Sequence, residues 1–310
     1  MKARVITIVM LLAVFGLVST SWAHHNRHAH KKMHGHDALM INLGASTTYG
    51  YTFDSSLLGL PFEYFLASNH HIPAFGEYLK GYFGVQDVVS YNFAVPGKTS
   101  EEVLNEQLPQ AMDVLPPRHI HNAVFTVEGG GNDLRHFQVE YMDQCTSSDP
   151  YDQYVCIVNL NVALDQIEDN LYQIVSEIKA AVPEAVVIMQ TQYNSLYDRL
   201  PNGMACANDT MIGIADLAFE GNPEAGHPIK GLNVRIREIA AELGVQVGDI
   251  AGYLYTAPGD LYMNPDFFGG DCTHLSGTWD GIPAAGIPGD EVGLGYQAIL
   301  GSFVYALPVE

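Results

Sequence analysis

Four short segments carry side chains suited to acyl transfer. In chain order they are GAS with Ser46, VPGKT around Gly97, GGGND ending in Asn132 and Asp133, and DCTH from Asp271 to His274. Acyl transfer through a covalent intermediate needs a serine hydroxyl, a base for its proton, a group that orients the base, and oxyanion donors. Together the four segments contain all of these groups.

Ser46 lies between Gly44 and Gly50, just after an apolar run. A serine that follows a strand and begins a helix can project its hydroxyl and offer its own backbone N–H to an oxyanion. A serine at this point is also a common helix N-cap. The other three segments favour Ser46 as the nucleophile.

Asp271 and His274 are close enough for one turn to bring the carboxylate to the imidazole Nδ1, which would fix the tautomer and stabilise the imidazolium. Asp133 and His136 have the same spacing. His136 would lie in a helix, whereas Asp271 and His274 lie in a loop after the last strand. We therefore expect His274 to be the base and Asp271 to orient it.

Asn132 and Gly97 are the candidate oxyanion donors, through a side-chain amide and an unhindered backbone N–H. Each such donor typically lowers the barrier by about 3 kcal/mol. The alternative for the glycines is that they only form turns.

Short apolar runs that alternate with helical patterns must position these residues. Strands are predicted at 38–43, 87–94, 123–127, 185–191 and 245–250, and helices at 73–83, 100–115, 160–182, 232–243 and 296–305. Thr99 and Glu102 have the spacing of a capping box. This alternation predicts a three-layer α/β/α sandwich with a central parallel sheet.

Ligands of such folds bind beyond the carboxyl ends of the strands. Ser46 follows the first predicted strand, Gly97 the second and Asn132 the third. We therefore expect all three at one edge of the sheet.

Residues 1–23 have the features of a signal peptide: Lys2 and Arg4, an apolar run to Val18, and a small-x-small ending at Ala23. The run is shorter than the roughly 20 residues of a spanning helix, so a membrane anchor is not expected. The sequence predicts a secreted or periplasmic protein with one domain over residues 38–310.

Removal of residues 1–23 leaves 12 basic and 35 acidic side chains, a formal charge of −23. Such a surface repels nucleic acid and anionic membranes. Residues 24–37 are rich in histidine and predicted to be disordered; they are a solvated segment or, alternatively, a metal-capturing one. The chain has no HExxH, CxxC or Walker motif, so no metal or cofactor site is expected elsewhere.

The chain has an even number of cysteines, which favours disulfides in an exported protein; they are Cys145, Cys156, Cys206 and Cys272. Three pairings are possible. We favour Cys145 with Cys156, which would close a short polar insertion, and consequently Cys206 with Cys272. The second bridge would hold the segment that carries Asp271 and His274.

The ordered segments resemble the four blocks of the SGNH hydrolases, which include the GDSL esterases and lipases, from about residue 39 to residue 304. The resemblance implies a flavodoxin-like fold, no cofactor, and the roles given above for Ser46, Gly97, Asn132, Asp271 and His274. The backbone N–H of Ser46 would be a further oxyanion donor.

Ala45 departs from this pattern, because GDSL motifs have aspartate there, so other contacts must hold the loop. Long stretches at 51–71, 137–156 and 276–292 also intervene. Specificity resides largely in such loops, so these departures leave the substrate open.

These features predict a serine carboxylesterase or lipase acting on small-molecule, lipid or carbohydrate esters. The aromatic segment at 49–67 would line an acyl pocket or, alternatively, pack an extra helix into the core. Two other functions stay open: a carbohydrate O-acetyl esterase, and a non-catalytic binding or metal-capturing protein.

Overall fold

A parallel sheet forms the centre of the fold. The computed structural model describes residues 37–53, 64–66, 71–116, 121–199, 203–222, 229–254, 272–273, 278–279, 282–283 and 294–309. Among these, one sheet consists of β1 (Ala38–Leu43), β4 (Val88–Asn92), β5 (Ala123–Val127), β6 (Val186–Gln190) and β7 (Gln246–Gly248).

The strand order is β4-β1-β5-β6-β7, and all neighbouring strands are parallel. This is the doubly wound order in which the first strand lies between the second and the third, as in flavodoxin. The predicted three-layer α/β/α fold is therefore confirmed. The carboxyl ends of β1, β4 and β5 are neighbours.

Helices follow most strands. They are α1 (Ser46–Tyr49), α2 (His71–Phe83), α3 (Ser100–Glu102), a π-helical turn (Val103–Gln107), α4 (Leu108–Asp113), α5 (Gly131–Thr146), α6 (Pro150–Ala181), α7 (Asp209–Glu220), α8 (Leu232–Leu243), α9 (Ile250–Leu254) and α10 (Leu294–Ala306). The capping box of Thr99 and Glu102 is present and begins α3.

Helices cover both faces of the sheet. On one face, α2, α9 and α10 pack over apolar side chains of the strands, with Phe75, Tyr296 and Phe303 at the centre. On the other face, α8 packs against β6 and β7, and α6 packs against α5 and α8. Burial of both faces explains why the strands are almost continuously apolar.

Asn42 is the polar residue in the otherwise apolar strand β1, and it is fully buried. Its amide donates to Tyr91 O (3.1 Å) and its oxygen accepts from Thr126 Oγ1 (2.8 Å). Since both partners lie in adjacent strands, Asn42 connects β4, β1 and β5 where the sheet meets the candidate site. A buried polar group is tolerated when it is paired in this way.

The polar insertion predicted between Cys145 and Cys156 is largely helical, and the predicted start of the following helix near Leu160 is wrong. Residues up to Thr146 continue α5, and α6 begins at Pro150 rather than near Leu160. Asp149 caps α6 by accepting from Tyr151 N (2.9 Å), and Pro150 suits the first helical turn. Helix α7 was not predicted either.

The segment after α1 also differs from the suggested extra helix. Tyr51–Phe53 forms β2, which pairs antiparallel with β3 (Tyr64–Leu66). A second short pair consists of β8 (Thr278–Trp279) and β9 (Ile282–Pro283).

Two disulfides are present, Cys145–Cys156 and Cys206–Cys272, which are the pairs favoured from the sequence. The first joins the last turn of α5 to the second turn of α6. It therefore fastens a helical hairpin rather than a loop.

The signal peptide at 1–23 and the histidine-rich segment at 24–37 were predicted in a region that, up to residue 36, lies outside the described residues. In the part of the chain that the structure describes, no helix has the length and apolar character needed to span a membrane.

Replacing both Cys145 and Cys156 with serine should destabilise the protein. The bridge closes a short loop, with a sequence separation of 11 between its cysteines, and such a crosslink contributes about 3 kcal/mol by restricting the unfolded chain. Thermal and urea unfolding of the oxidised proteins would measure the change. The control is Thr146→Ala, at an exposed position in the same turn, with an expected loss below about 1 kcal/mol. Equal stability of the double variant and wild type would contradict the expectation.

Candidate active site

Ser46 is the first residue of α1, directly beyond the carboxyl end of β1, and is half-buried. The N-cap position belongs to Ala45, whose side chain makes no capping hydrogen bond. Ser46 is therefore not the helix N-cap that the alternative interpretation required. Gly50 ends the helix in a left-handed conformation, with φ of 89°.

Glu128 holds the loop that carries Ser46. Its Oε2 accepts hydrogen bonds from Ala45 N (3.2 Å), Thr48 N (2.9 Å) and Thr48 Oγ1 (2.6 Å). Glu128 follows β5 directly and is only 5% exposed. A negative group at a helix N-terminus is favourable, and burial strengthens each hydrogen bond. The Glu128 carboxylate therefore holds the loop in this chain, which has Ala45 where the GDSL motif has aspartate.

Gln107 holds the same loop from a second direction. Its Oε1 accepts from Gly44 N (2.8 Å), and its Nε2 donates to Gly44 O (2.8 Å). Gln107 is the last residue of the π-helical turn and is buried. The paired hydrogen bonds fix both backbone groups of Gly44.

Gly44 has no room for a side chain. A Cβ there would lie 2.7 Å from Thr48 Oγ1 and 2.8 Å from Glu128 Oε2, and φ is 157°. The close approach of the Glu128 carboxylate to the loop backbone therefore requires glycine.

Gly97 lies in an exposed turn after β4, with φ of 83°. The turn is linked to the loop that carries Ser46 because Val95 N donates to Gly44 O (3.1 Å). Asn92 strengthens this link by donating through Nδ2 to Thr48 O (3.0 Å). Gly97 and Ser46 thus belong to adjacent loops that are joined by hydrogen bonds.

Asn132 lies in the first turn of α5, beyond the carboxyl end of β5. Its Nδ2 donates to Lys98 O (2.9 Å), the carbonyl next to Gly97. The structure therefore brings the predicted oxyanion residues Asn132 and Gly97 together.

Asp133 has a structural role. Its carboxylate accepts from Ser100 N (2.9 Å) and Ser100 Oγ (2.7 Å), and Asn170 donates to the same hydroxyl (3.0 Å). Burial raises the pKa of the Asp133 carboxyl, and the hydrogen bonds from Ser100 partly oppose this shift. His136 is exposed. The carboxylate of the competing Asp133–His136 pair is thus occupied in joining α5 to α3.

Asp271 and His274 lie outside the described residues, but Cys272 and Thr273 between them are described. Cys272 is anchored by the disulfide to Cys206 and by a hydrogen bond from its backbone N to Asp198 Oδ2 (2.8 Å). Cys272 has a φ of 64°, a conformation that non-glycine residues rarely adopt.

Thr273 is anchored by two side chains from the sheet edge. Arg135 Nη1 donates to Thr273 Oγ1 (2.9 Å), and the Tyr193 hydroxyl donates to Thr273 O (3.2 Å). The same Tyr193 hydroxyl lies 3.0 Å from Thr47 Oγ1. The residue before His274 is therefore connected to the residue after Ser46 through one tyrosine.

Within the described residues, Asp198 lies close to Cys206 and Cys272, a combination that could bind a metal if the thiols were free. The two sulfur atoms are bonded to each other, so they offer no thiolate ligands. This cluster is a structural anchor.

Sequence reasoning missed the residues that support the site, chiefly Glu128, Gln107 and Tyr193. A weak signal existed for Glu128, since an acidic residue directly after a largely apolar buried strand is a candidate for a paired, buried carboxylate. Nothing in the local sequence distinguished Gln107 or Tyr193.

The doubly wound α/β sheet thus carries a serine loop, a glycine turn and an asparagine at one carboxyl edge. Residues 43–278 match the model of the GDSL-like Lipase/Acylhydrolase family. The chain belongs to this family and is a carboxylic ester hydrolase. Among curated protein sequences, none matches it.

Solved structures share the fold. The lipase Lip_vut3 from a goat rumen metagenome is 17% identical, with a TM-score of 0.54 over 87% of this chain and 97% of that one. An extracellular lipase from Streptomyces rimosus is 17% identical, with a TM-score of 0.51 over 87% and 100%. The acetylxylan esterase Axe2 from Geobacillus stearothermophilus is 15% identical, with a TM-score of 0.50 over 89% and 95%.

Glu128→Ala should impair both stability and activity. The change leaves three donors without their acceptor, which we expect to cost about 3 kcal/mol of unfolding free energy and to lower ester hydrolysis about 100-fold by displacing the loop. Glu128→Gln retains one acceptor oxygen and should lose less of both.

Urea unfolding and a p-nitrophenyl ester assay would measure these effects. The matched control is Glu101→Ala, at an exposed position in the first turn of α3, which should cost less than about 1 kcal/mol. A Glu128→Ala enzyme as active as the control would show that the loop does not depend on this carboxylate.

Proposed function

We propose that this protein is an exported serine esterase or lipase that works through an acyl-enzyme, with Ser46 as nucleophile, His274 as base and Asp271 as its orienting group. The observation that carries the proposal is the hydrogen-bonded connection from Thr47 through Tyr193 to Thr273, because it joins the neighbours of Ser46 and His274. The family supplies the reaction class, hydrolysis of a carboxylic ester.

The first half-reaction forms the acyl-enzyme. His274 takes the proton of the Ser46 hydroxyl, whose oxygen attacks the ester carbonyl and forms a tetrahedral intermediate. The carbonyl π electrons move to oxygen. As the intermediate collapses, the bond to the alcohol breaks and His274 returns the proton to the leaving alkoxide. Asp271 would stabilise the intervening imidazolium.

The second half-reaction is the reverse with water. His274 takes a proton from water, the hydroxide attacks the acyl carbonyl, and Ser46 leaves with the proton that His274 returns. The products are the free acid and the original enzyme. No cofactor is needed for either step.

The oxyanion would be bound by the backbone N–H groups of Ser46 and Gly97 and by the Asn132 amide. Asn132 has two amide hydrogens, and its bond to Lys98 O uses one of them. The second is available for the oxyanion, while the first fixes the side chain. Preorganised donors of this kind lower the barrier without reorganising during the reaction.

Export is proposed from the signal peptide predicted at residues 1–23. Two disulfides support it, because such bonds form and persist in oxidising compartments. A periplasmic location and release from the cell are equally compatible with these features.

For the substrate, we propose acyl esters. The support is the aromatic and apolar sequence of residues 49–67, which begins at the last residue of α1 and includes the paired strands β2 and β3. The position of this segment immediately after the nucleophile helix suits an acyl-binding wall. A carbohydrate O-acetyl esterase would use the same aromatics to stack on sugar rings.

Ser46→Ala and His274→Ala should each lower p-nitrophenyl acetate hydrolysis by about 10³-fold or more, because each removes a group that acts only as part of the triad. His136→Ala is the matched control and should retain wild-type activity. Full activity in Ser46→Ala, or loss with His136→Ala but not His274→Ala, would overturn the assignment. Absence of labelling by a fluorophosphonate probe would instead favour a non-catalytic binding protein.

A substrate series would separate the two esterase functions. Acetyl and octanoyl p-nitrophenyl esters and acetylated xylan should be compared by kcat/KM. We expect kcat/KM of the octanoyl ester to exceed that of the acetyl ester by about tenfold or more, since burial of only two of its additional CH₂ groups, at roughly 0.8 kcal/mol each, corresponds to about tenfold. A preference for acetylated xylan over both would favour the carbohydrate O-acetyl esterase.

A further inference from the structure

Tyr193 occupies an unusual place at the carboxyl edge of the sheet. It lies three residues beyond β6 and is only 7% exposed. Its ring belongs to the core cluster that α2, α9 and α10 form on one face of the sheet. Its hydroxyl extends beyond this core to Thr47 and Thr273, in the loops that follow β1 and precede His274.

The backbone around Tyr193 is fixed on both sides. Asn233 Oδ1 accepts from Gln192 N (2.7 Å) and Asn233 Nδ2 donates to Gln192 O (2.8 Å). On the other side, Asn194 Nδ2 donates to Asp216 Oδ1 (2.8 Å) and to Ile212 O (3.1 Å). The tyrosine therefore projects from a rigid support, as a positioning group requires.

The directions of its two hydrogen bonds follow from the number of hydrogens. A phenol has one hydrogen, and a carbonyl can only accept. The Tyr193 hydrogen must therefore go to Thr273 O, 3.2 Å away, and Thr47 Oγ1 donates to the phenol oxygen over 3.0 Å. The result is a directed chain from Thr47 to Tyr193 to Thr273.

This chain joins two loops that are far apart in sequence. Thr47 is separated from Tyr193 by 146 positions, and Tyr193 from Thr273 by 80. Thr47 directly follows the proposed nucleophile, and Thr273 directly precedes the proposed base. Successive hydrogen bonds polarise one another, so the chain resists displacement of either end.

We propose that Tyr193 is a positioning residue of the reaction, whose hydroxyl holds the base loop in register with the nucleophile loop. This inference rests on the proposed roles of Ser46 and His274. Tyr193 does not touch the reacting atoms; it sets the separation between the two loops. Small errors in such a separation reduce kcat strongly while leaving substrate binding intact.

A merely structural role makes a different prediction. If only the aromatic ring matters, Tyr193→Phe retains the packing and activity changes no more than stability does. If the hydroxyl positions the base, Tyr193→Phe and Thr47→Val should each lower kcat by about tenfold or more, with little change in KM. Thr47→Ser retains a donor and should stay close to wild type.

The double variant tests whether the two hydroxyls act as one chain. Tyr193→Phe combined with Thr47→Val should have the kcat of the more impaired single variant, because breaking either link releases the loop. A kcat equal to the product of the two separate losses would overturn the proposal. If Tyr193→Phe does not fold, the comparison of Thr47→Val with Thr47→Ser decides.

Tyr82→Phe is the matched control. The Tyr82 hydroxyl also donates to a distant backbone carbonyl, Pro308 O (2.8 Å), but it lies near the end of α2 that leads into β4, at the opposite edge of the sheet. This variant should keep wild-type kcat. Steady-state kinetics with a p-nitrophenyl ester, the rate of fluorophosphonate labelling of Ser46 and thermal unfolding would be measured for every variant.

The outcomes separate this inference from the proposed function. Wild-type kcat in Tyr193→Phe, together with an inactive Ser46→Ala enzyme, would overturn only the role of Tyr193. Activity retained in Ser46→Ala would overturn both. Slower labelling of Ser46 and a lower kcat at unchanged melting temperature in Tyr193→Phe would support it.

Discussion

One buried carboxylate organises the carboxyl edge of the sheet around Ser46. Glu128 accepts three hydrogen bonds from the loop and helix that carry Ser46, all on a single oxygen. The loop has no side-chain cap of its own, so its backbone donors would otherwise be unpaired in a buried site. The position of the serine, the requirement for glycine at position 44 and the start of α1 all follow from this contact.

The remaining parts of the site are connected to that loop in the same manner, by side chains that bond to the backbone of a neighbouring segment. Gln107 pairs with Gly44, Asn92 with the end of α1, and Asn132 with the glycine turn. Such bonds fix main-chain positions without using the Ser46 side chain. The sheet supplies the common base, since β1, β4 and β5 are adjacent and parallel.

The strands and their edge could be predicted because buried parallel strands are almost continuously apolar. Ala38–Leu43 and Ala123–Val127 begin and end where the sequence predicts. The first ten residues of α6 could not be predicted, because several of their apolar side chains, among them Tyr151, Tyr154 and Val158, are exposed and do not mark a buried helix face. They are helical through the cap at Asp149, packing on α5 and the Cys145–Cys156 bridge.

In the candidate site, too, some features could be predicted and others could not. The position of Ser46, Gly97 and Asn132 at the carboxyl edge could be predicted because each follows a strand in a short motif. Their supports could not, because Glu128 is 83 positions from Ala45 and Gln107 is 63 from Gly44. Long-range hydrogen bonds leave no periodic pattern in a sequence. For Asp271 and His274, the structure describes only the two residues between them.

The number of residues in the π-helical turn between α3 and α4 determines whether Gln107 can reach the loop that carries Ser46. Val103–Gln107 winds more widely than an α-helix, and Gln107 closes this turn. Losing one residue from the turn would convert it to an α-helical turn, one residue shorter, and would change the position of Gln107 along the helix axis. The two hydrogen bonds that Gln107 makes with Gly44 depend on that position, although every side chain named in this site would still be present. A single-codon deletion more than 50 positions from Ser46 would thus loosen the loop that carries this serine.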